Sequence, residues 1–445
     1  MSHVDDVRAW AEERFAGQDE RLSAIRSVLS SIGAEAERDP EHRRLRVLER
    51  LITPEQTIRF RVVWEDDAGE VHVNEGWRVL QSTQLGPGKG GLRFHRSVNE
   101  SIVSFLAFEQ QFKNALTGLA LGAAKGGADF DAHDRSDREM MRFCQAFMTE
   151  LHAHIGARTD VPAGDIGVGT REIGYLFGQY RRIVGTWDGV LTGKGDTWGG
   201  SLLRQEATGY GLVYFLGHML EARDRTLEGE RIAVSGAGNV ALHAAEKLIA
   251  DGAKVVTLSN SRGVLMAEDG FTADTLEKAR GCRYRSGTTL ADLDGSHGLR
   301  WVADGKAWEA ECSIALPCAT QGELDEADAR GLVERGCRFV AEGANMPCTE
   351  EAIGVFREEG VYFGPGKAAN AGGVSVSGLE MAQNAKMLRW ARERVDERLR
   401  EIMQDIFRRA RVAAEEAGAP DDLLRGADIA GYRRLADALV AQGLG

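Results

Sequence analysis

The stretch RIAVSGAGNVALHAAEKLIADGAKVVTLSN, residues 231–260, decides the fold. It begins with the apolar run 232–234, passes through a glycine-rich turn and continues as a helix-like segment from Asn239. A second apolar run closes it. Strand, turn, helix and strand within about 30 residues form one βαβ unit. The stretch therefore predicts an α/β fold whose sheet contains parallel strands.

The turn inside this stretch has the composition of a dinucleotide-binding loop. Gly236, Gly238 and Ala241 match the pattern G-x-G-x-x-A. The first glycine permits a tight turn, the second lets a pyrophosphate approach backbone N–H groups, and the small third residue lets helix and strand pack closely. The predicted cofactor contacts here are Ser235, Gly236, Gly238, Asn239 and Val240.

The end of the second strand discriminates between NAD and NADP. A carboxylate there would bind the ribose 2′-hydroxyl of NAD and repel a 2′-phosphate, but the sequence reads Leu258-Ser259-Asn260-Ser261-Arg262. The two serine hydroxyls and the guanidinium suit a phosphate, with Asn260 among them. We predict NADP and consider NAD less favoured. The alternative is that Arg262 points to solvent and both cofactors bind.

Downstream of the βαβ unit, the alternation of short apolar runs and helices continues. Strands are predicted at 313–316, 338–341 and 361–363, and a helix at 349–358. This order predicts a mostly parallel, doubly wound Rossmann-type sheet covered by helices. Long helices are expected at 379–417, and a last one at 432–441.

The first half of the chain predicts a different, mixed α/β arrangement. Residues 4–32 have helical periodicity, and residues 57–64 and 71–80 alternate like two strands around a turn. The segments 86–91, 122–127 and 164–169 are rich in glycine. We interpret them as loops that bring backbone close to a ligand, the alternative being simple tight turns.

Two domains with an active-site cleft between them follow from this organisation. Residues 1–200 are expected to form a substrate-binding and oligomerisation domain, and residues 201–423 the Rossmann-type domain. The C-terminal helix, 424–445, is expected to pack back on the first domain.

Composition excludes several classes of function. The chain has 55 Lys and Arg against 68 Asp and Glu, a net charge of −13, which disfavours binding to nucleic acid or an anionic membrane. No run of about 18 apolar residues is available to span a membrane. The six cysteines show no CxxC spacing, and no HExxH is present, so we expect no metal and free thiols in a reducing cytoplasm.

Several ordered motifs resemble the hexameric glutamate dehydrogenases of bacteria, within the Glu/Leu/Phe/Val dehydrogenase superfamily. They include GPGKGGLRFH, FEQQFKNALTGLALGAAKGGADFD, TDVPAGDIGVGTREIG, AEGANMPCTEEA and FGPGKAANAGGVSVSGLEMAQN. The resemblance covers nearly the whole chain. It implies reversible oxidative deamination of L-glutamate to 2-oxoglutarate and ammonium, with hydride transfer to NADP, by a homohexamer. NADP use would suggest ammonium assimilation.

The resemblance also assigns roles residue by residue. Lys89 and Ser377 match groups that bind the side-chain carboxylate, and Val374 lines that pocket. Lys125 matches the catalytic lysine and Asp165 the catalytic acid/base. The remaining matches are Gln110 and Lys113 at the α-carboxylate, Gly164 at the substrate, and Thr208, Asn239, Asn345 and Asn370 at the cofactor or active site.

The chemistry suits these residue types independently. Glutamate carries two carboxylates, so a site in an acidic protein needs at least two fixed cations, for which Lys89 and Lys113 are candidates. Loss of a hydride leaves an iminium that water must attack, and a desolvated lysine such as Lys125 can activate that water. Taken singly, each lysine also fits a solvated charge, and Asp165 also fits a helix cap or turn.

Some positions depart from the usual family pattern. Ala123 and Ala124 replace glycines before the catalytic lysine, Gly88 replaces an aromatic residue, Gln205 a proline and Asn260 an aspartate. Two added methyl groups would crowd the substrate or forbid a positive φ. We therefore expect activity that survives but is weakened, or tolerance of a larger α-amino acid.

Three alternatives remain at this point. An amino-acid dehydrogenase for an apolar side chain would share Lys125 and Asp165, but Lys89 and Ser377 argue against it, because a lysine in an apolar pocket would lack a partner. A catalytically weak paralogue that binds metabolites is permitted by the altered loop. A Rossmann scaffold or nucleic-acid-binding protein is opposed by the net charge of −13.

Overall fold

The computed structural model describes residues 2–284 and 287–444. The chain divides into two compact units. Unit 1 comprises Met1–Arg204, Val374–Val395 and Asp428–Gly445, and unit 2 comprises Gln205–Gly373 and Asp396–Ala427. Each unit is built around its own sheet.

Helices and strands alternate irregularly up to Arg204. The helices are α1 (His3–Arg14), α2 (Asp19–Ala36), α3 (Pro40–Arg44), α4 (Val47–Ile52), α5 (Glu100–Leu116), α6 (Asp137–Leu151) and α7 (Thr170–Val184). The strands are β1 (Gln56–Glu65), β2 (Val71–Ser82), β3 (Gly88–Phe94), β4 (Ala123–Ala128) and β5 (Asp160–Gly164).

The rest of the chain is more regular. The helices are α8 (Ala207–Glu221), α9 (Asn239–Ala250), α10 (Ala273–Tyr284), α11 (Glu326–Glu334), α12 (Glu350–Glu358), α13 (Gly366–Ala369), α14 (Gly372–Ala385), α15 (Arg392–Glu416) and α16 (Leu423–Gln442). The strands are β6 (Arg231–Val234), β7 (Lys254–Asn260), β8 (Gly263–Ala267), β9 (Leu299–Ala303), β10 (Ile314–Leu316), β11 (Phe339–Ala341) and β12 (Tyr362–Gly364). Short 3-10 turns lie at His152–His154, Leu290–Leu293 and Ala307–Glu309.

Unit 1 has a mixed five-stranded sheet in the order β1-β2-β4-β3-β5. β1, β2 and β4 are antiparallel neighbours, whereas β4, β3 and β5 run parallel. Its aromatic core includes Phe94, Phe130, Phe143 and Phe147, with the Phe130 and Phe143 rings stacked at 3.7 Å. Burial of each such ring contributes roughly 2 kcal/mol, so this core fixes the sheet on which the candidate residues lie.

Unit 2 has a seven-stranded sheet in the order β12-β11-β10-β6-β7-β8-β9. The first five of these strands are parallel, which confirms the predicted doubly wound fold. β8 and β9 add an antiparallel edge that the sequence did not predict. Ser261 and Arg262 form the two-residue connection from β7 to β8, because Asn260 pairs with Gly263.

The predicted helical character of residues 4–32 is confirmed in two helices, α1 and α2, because the chain turns at Gly17 with φ +85°, a conformation that only glycine adopts without strain. One local prediction was wrong. The glycine-rich segments around residues 88–91 and 123–127 are strands β3 and β4, not loops. Neighbouring backbone approaches most of these glycines too closely to leave room for a side chain.

Candidate active site

Lys89 and Lys125 lie on neighbouring parallel strands, β3 and β4. The glycines around them remove side chains where the two backbones pass closely. A Cβ at Gly90 would lie 1.6 Å from the Ala124 carbonyl oxygen, and one at Gly127 would lie 2.2 Å from that of Arg93. Tight packing of the sheet therefore requires glycine at both positions, and these segments are strands for that reason.

Asp165 follows directly on β5, whose last residue is Gly164. Its Oδ2 accepts a hydrogen bond from Arg93 Nε at 2.8 Å and lies 3.1 Å from Lys125 Nζ. Burial would raise the pKa of this carboxyl, but Lys125 and Arg93 together bring the pKa to about 2. Asp165 does not cap the next helix, since α7 begins after Gly169. Its carboxylate therefore stays charged and engaged with two cations.

Lys125 is a buried amine in a cationic neighbourhood. Its relative exposure is 4%. Burial lowers the pKa of Lys125, the charges of Arg93 and Arg78 lower it further, and Asp165 opposes both effects. A lysine with a lowered pKa is available as a neutral base closer to physiological pH.

Lys113 and Gln110 lie one turn apart on α5. Burial, followed by the repulsion of Lys125, lowers the pKa of Lys113 to about 8. Gln110 donates to Asn114 Oδ1 at 2.7 Å. Asn114 in turn donates to the carbonyl oxygens of Lys89, at 3.0 Å, and Gly122, at 2.6 Å. This amide bonding joins α5 to the segments that carry both buried lysines.

The Lys89 side chain is buried, at 1% exposure, and two arginines act on it electrostatically. Burial lowers the pKa of Lys89 well below its usual range, and Arg204 and Arg78 act in the same direction. Ser377, on α14, accepts a hydrogen bond from Arg204 Nε at 2.9 Å. Val374 lies one turn before Ser377 on the same helix. Glu380 and Asp160 oppose this shift, and a further anion bound there would favour the charged form of Lys89.

A buried ion pair holds the strand that carries Lys89. Arg78 on β2 donates to Asp160 through Nε at 2.7 Å and through Nη2 at 2.5 Å. Its Nη1 also donates to the Gly90 carbonyl oxygen at 3.2 Å. Both partners are at most 2% exposed. A two-pronged pair of this kind fixes geometry as well as charge.

Sequence reasoning missed Arg78, Arg93, Asn114 and Arg204. Arginine and asparagine are common residues, and nothing in the local sequence distinguishes these from surface ones. Arg93, however, stands in the GLRFH motif four residues after Lys89. On one face of an extended strand, alternate residues align, so Lys89, Gly91 and Arg93 could have been placed together once the segment was recognised as a strand.

In unit 2, the glycine turn lies between β6 and α9, as predicted. Gly236 has φ +82°, and a Cβ there would lie 3.2 Å from Ala319. Ser235 accepts from the backbone N–H of Cys318 at 2.8 Å. Gly238 is the N-cap of α9 and supplies no side-chain cap, so the first N–H groups of the helix are left for another acceptor. This arrangement fits a pyrophosphate.

The candidate phosphate-binding residues occupy the turn between β7 and β8. Ser259 is nearly buried, and its Oγ accepts from the Gly236 N–H at 2.8 Å. Asn260, Ser261 and Arg262 are exposed, and Asn260 Oδ1 accepts from the Arg262 N–H at 2.8 Å. Ser259 thus supports the glycine turn, whereas the exposed residues are placed to meet a charged group.

Other predicted cofactor residues lie elsewhere in unit 2. Thr208 is in the first turn of α8, and Val240 is in the first turn of α9. Asn239 Nδ2 donates to the Gln205 carbonyl oxygen at 2.5 Å. Asn370 Nδ2 donates to Ala344 O at 2.8 Å and Asn345 Oδ1 at 3.2 Å.

Two further groups in unit 2, the Asn370 side-chain oxygen and the Arg283 guanidinium, also suit a bound dinucleotide. Asn370 Oδ1 is buried and has no partner among the residues that the structure describes. A carboxamide oxygen in that state suits an N–H donor from a ligand. A cation that sequence reasoning missed, Arg283 on α10, lies 3.3 Å from the position of a Cβ on Gly238. The residues present therefore fit a dinucleotide with additional negative charge.

Residues 2–284 and 287–444 offer neither a metal site nor a membrane-spanning helix. No group of three or more His, Cys, Asp and Glu could hold a metal ion in that part of the chain. Within the same residues, no helix combines the length and apolar character needed to cross a membrane. The six cysteines, all of which lie in that part of the chain, form no disulfide with one another.

Comparison with known proteins places this geometry in context. The family model described as Glutamate/Leucine/Phenylalanine/Valine dehydrogenase matches residues 199–443, and the Glu/Leu/Phe/Val dehydrogenase dimerisation domain matches residues 54–182. The NADP-specific glutamate dehydrogenase of Helicobacter pylori is 49% identical and covers 99% of this chain and 100% of its own. That of Escherichia coli is 50% identical over 97% of each chain. The crystal structure of Plasmodium falciparum glutamate dehydrogenase superposes with a TM-score of 0.96 at 47% identity, covering 99% of this chain and 94% of its own.

Proposed function

The chain belongs to the Glutamate/Leucine/Phenylalanine/Valine dehydrogenase family, and we propose that Lys125 and Asp165 carry out the reaction of a glutamate dehydrogenase in it. The enzyme interconverts L-glutamate and water with 2-oxoglutarate and ammonium. Its cofactor is NADP, as in its full-length relatives. The observation that supports the residue assignment is the contact of Lys125 with Asp165, 3.1 Å apart, amid further buried cations.

The two carboxylates of glutamate would be held by separate cations. Lys89 and the Ser377 hydroxyl, itself bonded to Arg204, take the side-chain carboxylate. Lys113 takes the α-carboxylate, with Gln110 beside it on α5. A dicarboxylate adds negative charge to a region where burial and neighbouring cations lower the pKa of Lys89 and Lys113. An apolar side chain would give Lys89 no carboxylate to bind.

When bound, NADP accepts the hydride from Cα of glutamate. The chain holds it through the N–H groups at the start of α9 and the exposed turn Asn260–Arg262. Neither element contributes a carboxylate, so a 2′-phosphate meets no repulsion there. Arg283 would add positive charge beside Gly238.

The proton transfers follow from the states of Lys125 and Asp165. Asp165, whose pKa is about 2, starts as a carboxylate and accepts a proton from the substrate ammonium. After hydride loss, neutral Lys125 removes a proton from water, whose oxygen attacks the iminium carbon. Asp165 returns its proton to the nitrogen and then, again a carboxylate, takes the hydroxyl proton as the C–N bond breaks. The departing ammonia takes the Lys125 proton and becomes ammonium, and Asp165 releases its proton to solvent, so both residues regain their starting states.

A turnover assay tests the substrate and cofactor together. The purified protein is mixed with 2-oxoglutarate and ammonium, and the loss of NADPH or NADH absorbance is followed. Fast NADPH oxidation with slow NADH oxidation is expected. Faster NADH oxidation would overturn the cofactor alone. No turnover from a folded protein that binds cofactor would contradict the glutamate assignment, and apolar 2-oxo acids would then be tried.

We also propose that the protein self-associates as a homohexamer in the cytoplasm. The exposed apolar residues Val63, Val71 and Val73 on the edge strand β1 and its neighbour β2 support self-association, because exposed apolar edge strands favour pairing with another chain. Light scattering coupled to size-exclusion chromatography would measure the mass. A monomeric mass at micromolar concentration would contradict the proposal.

A further inference from the structure

Two cations of different chemistry share one oxygen of Asp165. Arg93 Nε donates to Oδ2 at 2.8 Å, and Lys125 Nζ makes its closest approach to the same oxygen at 3.1 Å. Among the described residues, no hydrogen bond to Oδ1 occurs. The side chains of Arg93 and Asp165 are partly buried, at 14% and 16% exposure. The carboxylate is therefore anchored through one oxygen.

Arg93 differs from Lys125 in that its charge is permanent. A guanidinium keeps its proton at any pH that proteins tolerate. Lys125, by contrast, must become neutral when it activates water, and its attraction for Asp165 then disappears. During that part of the cycle, Arg93 is the cation that still holds Oδ2.

We propose that Arg93 is a positioning residue that keeps Asp165 oriented, with Oδ1 towards the reacting nitrogen, while Lys125 is neutral. This inference rests on the proposed function. The backbone around Arg93 is well fixed for such a role. Phe94, the next residue, lies in the aromatic core, and its N–H donates to the Ile166 carbonyl oxygen at 2.9 Å, directly beyond Asp165.

The same guanidinium also acts on Lys125 itself. The charged groups that face Lys125 and Asp165 come from several elements: Arg93 on β3, Arg78 on β2, Lys113 on α5, and the two residues themselves. Burial lowers the pKa of Lys125, and Arg93 lowers it further. The positive charge of Arg93 also lowers the pKa of Asp165. Arg93 therefore favours both the neutral form of Lys125 and the charged form of Asp165.

The experiment compares Arg93→Gln, Arg93→Lys and wild type, with Arg96→Gln as the matched control. Arg96 is exposed and lies just beyond β3. Two quantities are measured from pH 6 to 10. One is kcat/KM for glutamate with NADP. The other, independent of turnover, is the acetylation rate of Lys125 by acetic anhydride, followed by mass spectrometry of its peptide.

In Arg93→Gln, both profiles should move to higher pH by about one unit, the size expected when one close charge is removed from a partly buried site. Below the midpoint this is roughly a tenfold lower rate, and raising the pH should restore only part of it, because Asp165 then lacks the cation that orients it. The KM for glutamate should change much less than kcat. Arg93→Lys should move the profiles by less than half as much, and Arg96→Gln should leave them unchanged.

An acetylation midpoint that is equal in wild type and Arg93→Gln would overturn the inference, whether or not the enzyme turns over glutamate. So would a kcat that regains the full wild-type value at high pH, since the effect of Arg93 on the pKa of Lys125 would then account for the whole loss. If Arg93→Gln fails to fold, an Arg93→Lys profile displaced by more than one unit would also contradict it. Wild-type turnover tests the proposed function separately.

Discussion

The two sheets of this protein serve function in opposite ways. In unit 1, charged side chains lie on the strands themselves, and Arg78, Lys89 and Lys125 are each at most 4% exposed. In unit 2, β10 has no charged residue, and the only charged residues of β6 and β7 are Arg231 and Lys254, where each strand begins. Its candidate ligand contacts come from backbone N–H groups and from turns. One unit therefore places titratable groups in the protein interior, and the other presents a site built mainly from groups that do not titrate.

This difference indicates how each unit tolerates change. Buried charged groups interact strongly with one another, so replacement of one side chain changes the pKa of several neighbours. Backbone donors are supplied by almost any residue whose φ and ψ fit. Substitutions in unit 1 should therefore affect chemistry and pH dependence, and those in unit 2 should affect cofactor affinity through conformation.

The largest effect should come from removing the reacting groups in unit 1. Lys125→Met or Asp165→Asn should lower kcat at least roughly a thousandfold, because both proton transfers lose their partner. The NADPH dissociation constant, measured by fluorescence, should change less than threefold. If NADPH affinity fell as much as kcat, the conclusion that unit 1 carries the chemistry and unit 2 binds the cofactor would be wrong.

Replacement of the buried cation on β3 should change the substrate preference. Lys89→Leu should lower kcat/KM for glutamate roughly a hundredfold, since a charge-assisted hydrogen bond to a carboxylate contributes about 2–3 kcal/mol. L-Norvaline, which lacks the side-chain carboxylate, should be used better relative to glutamate. A variant that keeps the wild-type ratio of the two substrates would show that Lys89 does not select the side chain.

For unit 2, the test concerns backbone conformation. Gly236→Ala should raise the NADPH dissociation constant roughly tenfold, because a Cβ at φ +82° is strained by about 1–2 kcal/mol. Gly229→Ala is the matched control, with φ +76° and open space around the added methyl group. Both variants should lose stability, but only the first should lose cofactor affinity. Equal affinities would mean that the turn does not contact the cofactor.

The pH dependence of ligand binding should also separate the units. Lys113, whose pKa is about 8, is charged below that pH and neutral above it. The inhibition constant of glutarate, a non-reacting dicarboxylate, should therefore rise several-fold between pH 7.5 and 9. The NADPH dissociation constant should stay nearly constant over this range. Lys113→Arg should flatten the glutarate profile, and a wild-type profile that is already flat would exclude Lys113 from the site.

The smallest effect concerns the two alanines before Lys125. Neither appears among the residues with positive φ, and both are fully buried in β4, so the predicted conflict with a left-handed conformation was wrong. Ala123→Gly with Ala124→Gly should change kcat less than twofold. It should lower stability by about 1–2 kcal/mol, because glycine weakens a strand interior. A large gain in kcat would show that the methyl groups do obstruct the substrate.

The sequence predicted unit 2 better than unit 1 for a physical reason. The strands of unit 2 are apolar runs bounded by turns, and the turn at Gly236 has the positive φ that its pattern implies. In β3 and β4, glycine is required by the approach of a neighbouring strand, such as the Ala124 carbonyl beside Gly90. That requirement depends on a partner distant in sequence, so local patterns indicated loops.

The arginines were missed for a related reason. Arg204 acts through Ser377, which lies 173 residues away in the chain. Arg93 acts through Asp165, 72 residues away. Resemblance to a family supplied the lysines and Asp165, whereas the groups that set their protonation became recognisable only from the packing of the sheet.

The end of the chain gives unit 1 a particular order of assembly. Tyr432 on α16 is fully buried, and its hydroxyl bonds to His42 Nδ1 at 2.8 Å, 390 residues away. Arg433 pairs with Glu35 at 2.7 Å. On the ribosome, residues 205–427 have all been made before these contacts can form, and domains generally fold as they emerge. Synthesis of unit 1 therefore begins first and ends last. The contacts of its N-terminal helices with α16 cannot form until most of the chain has been translated.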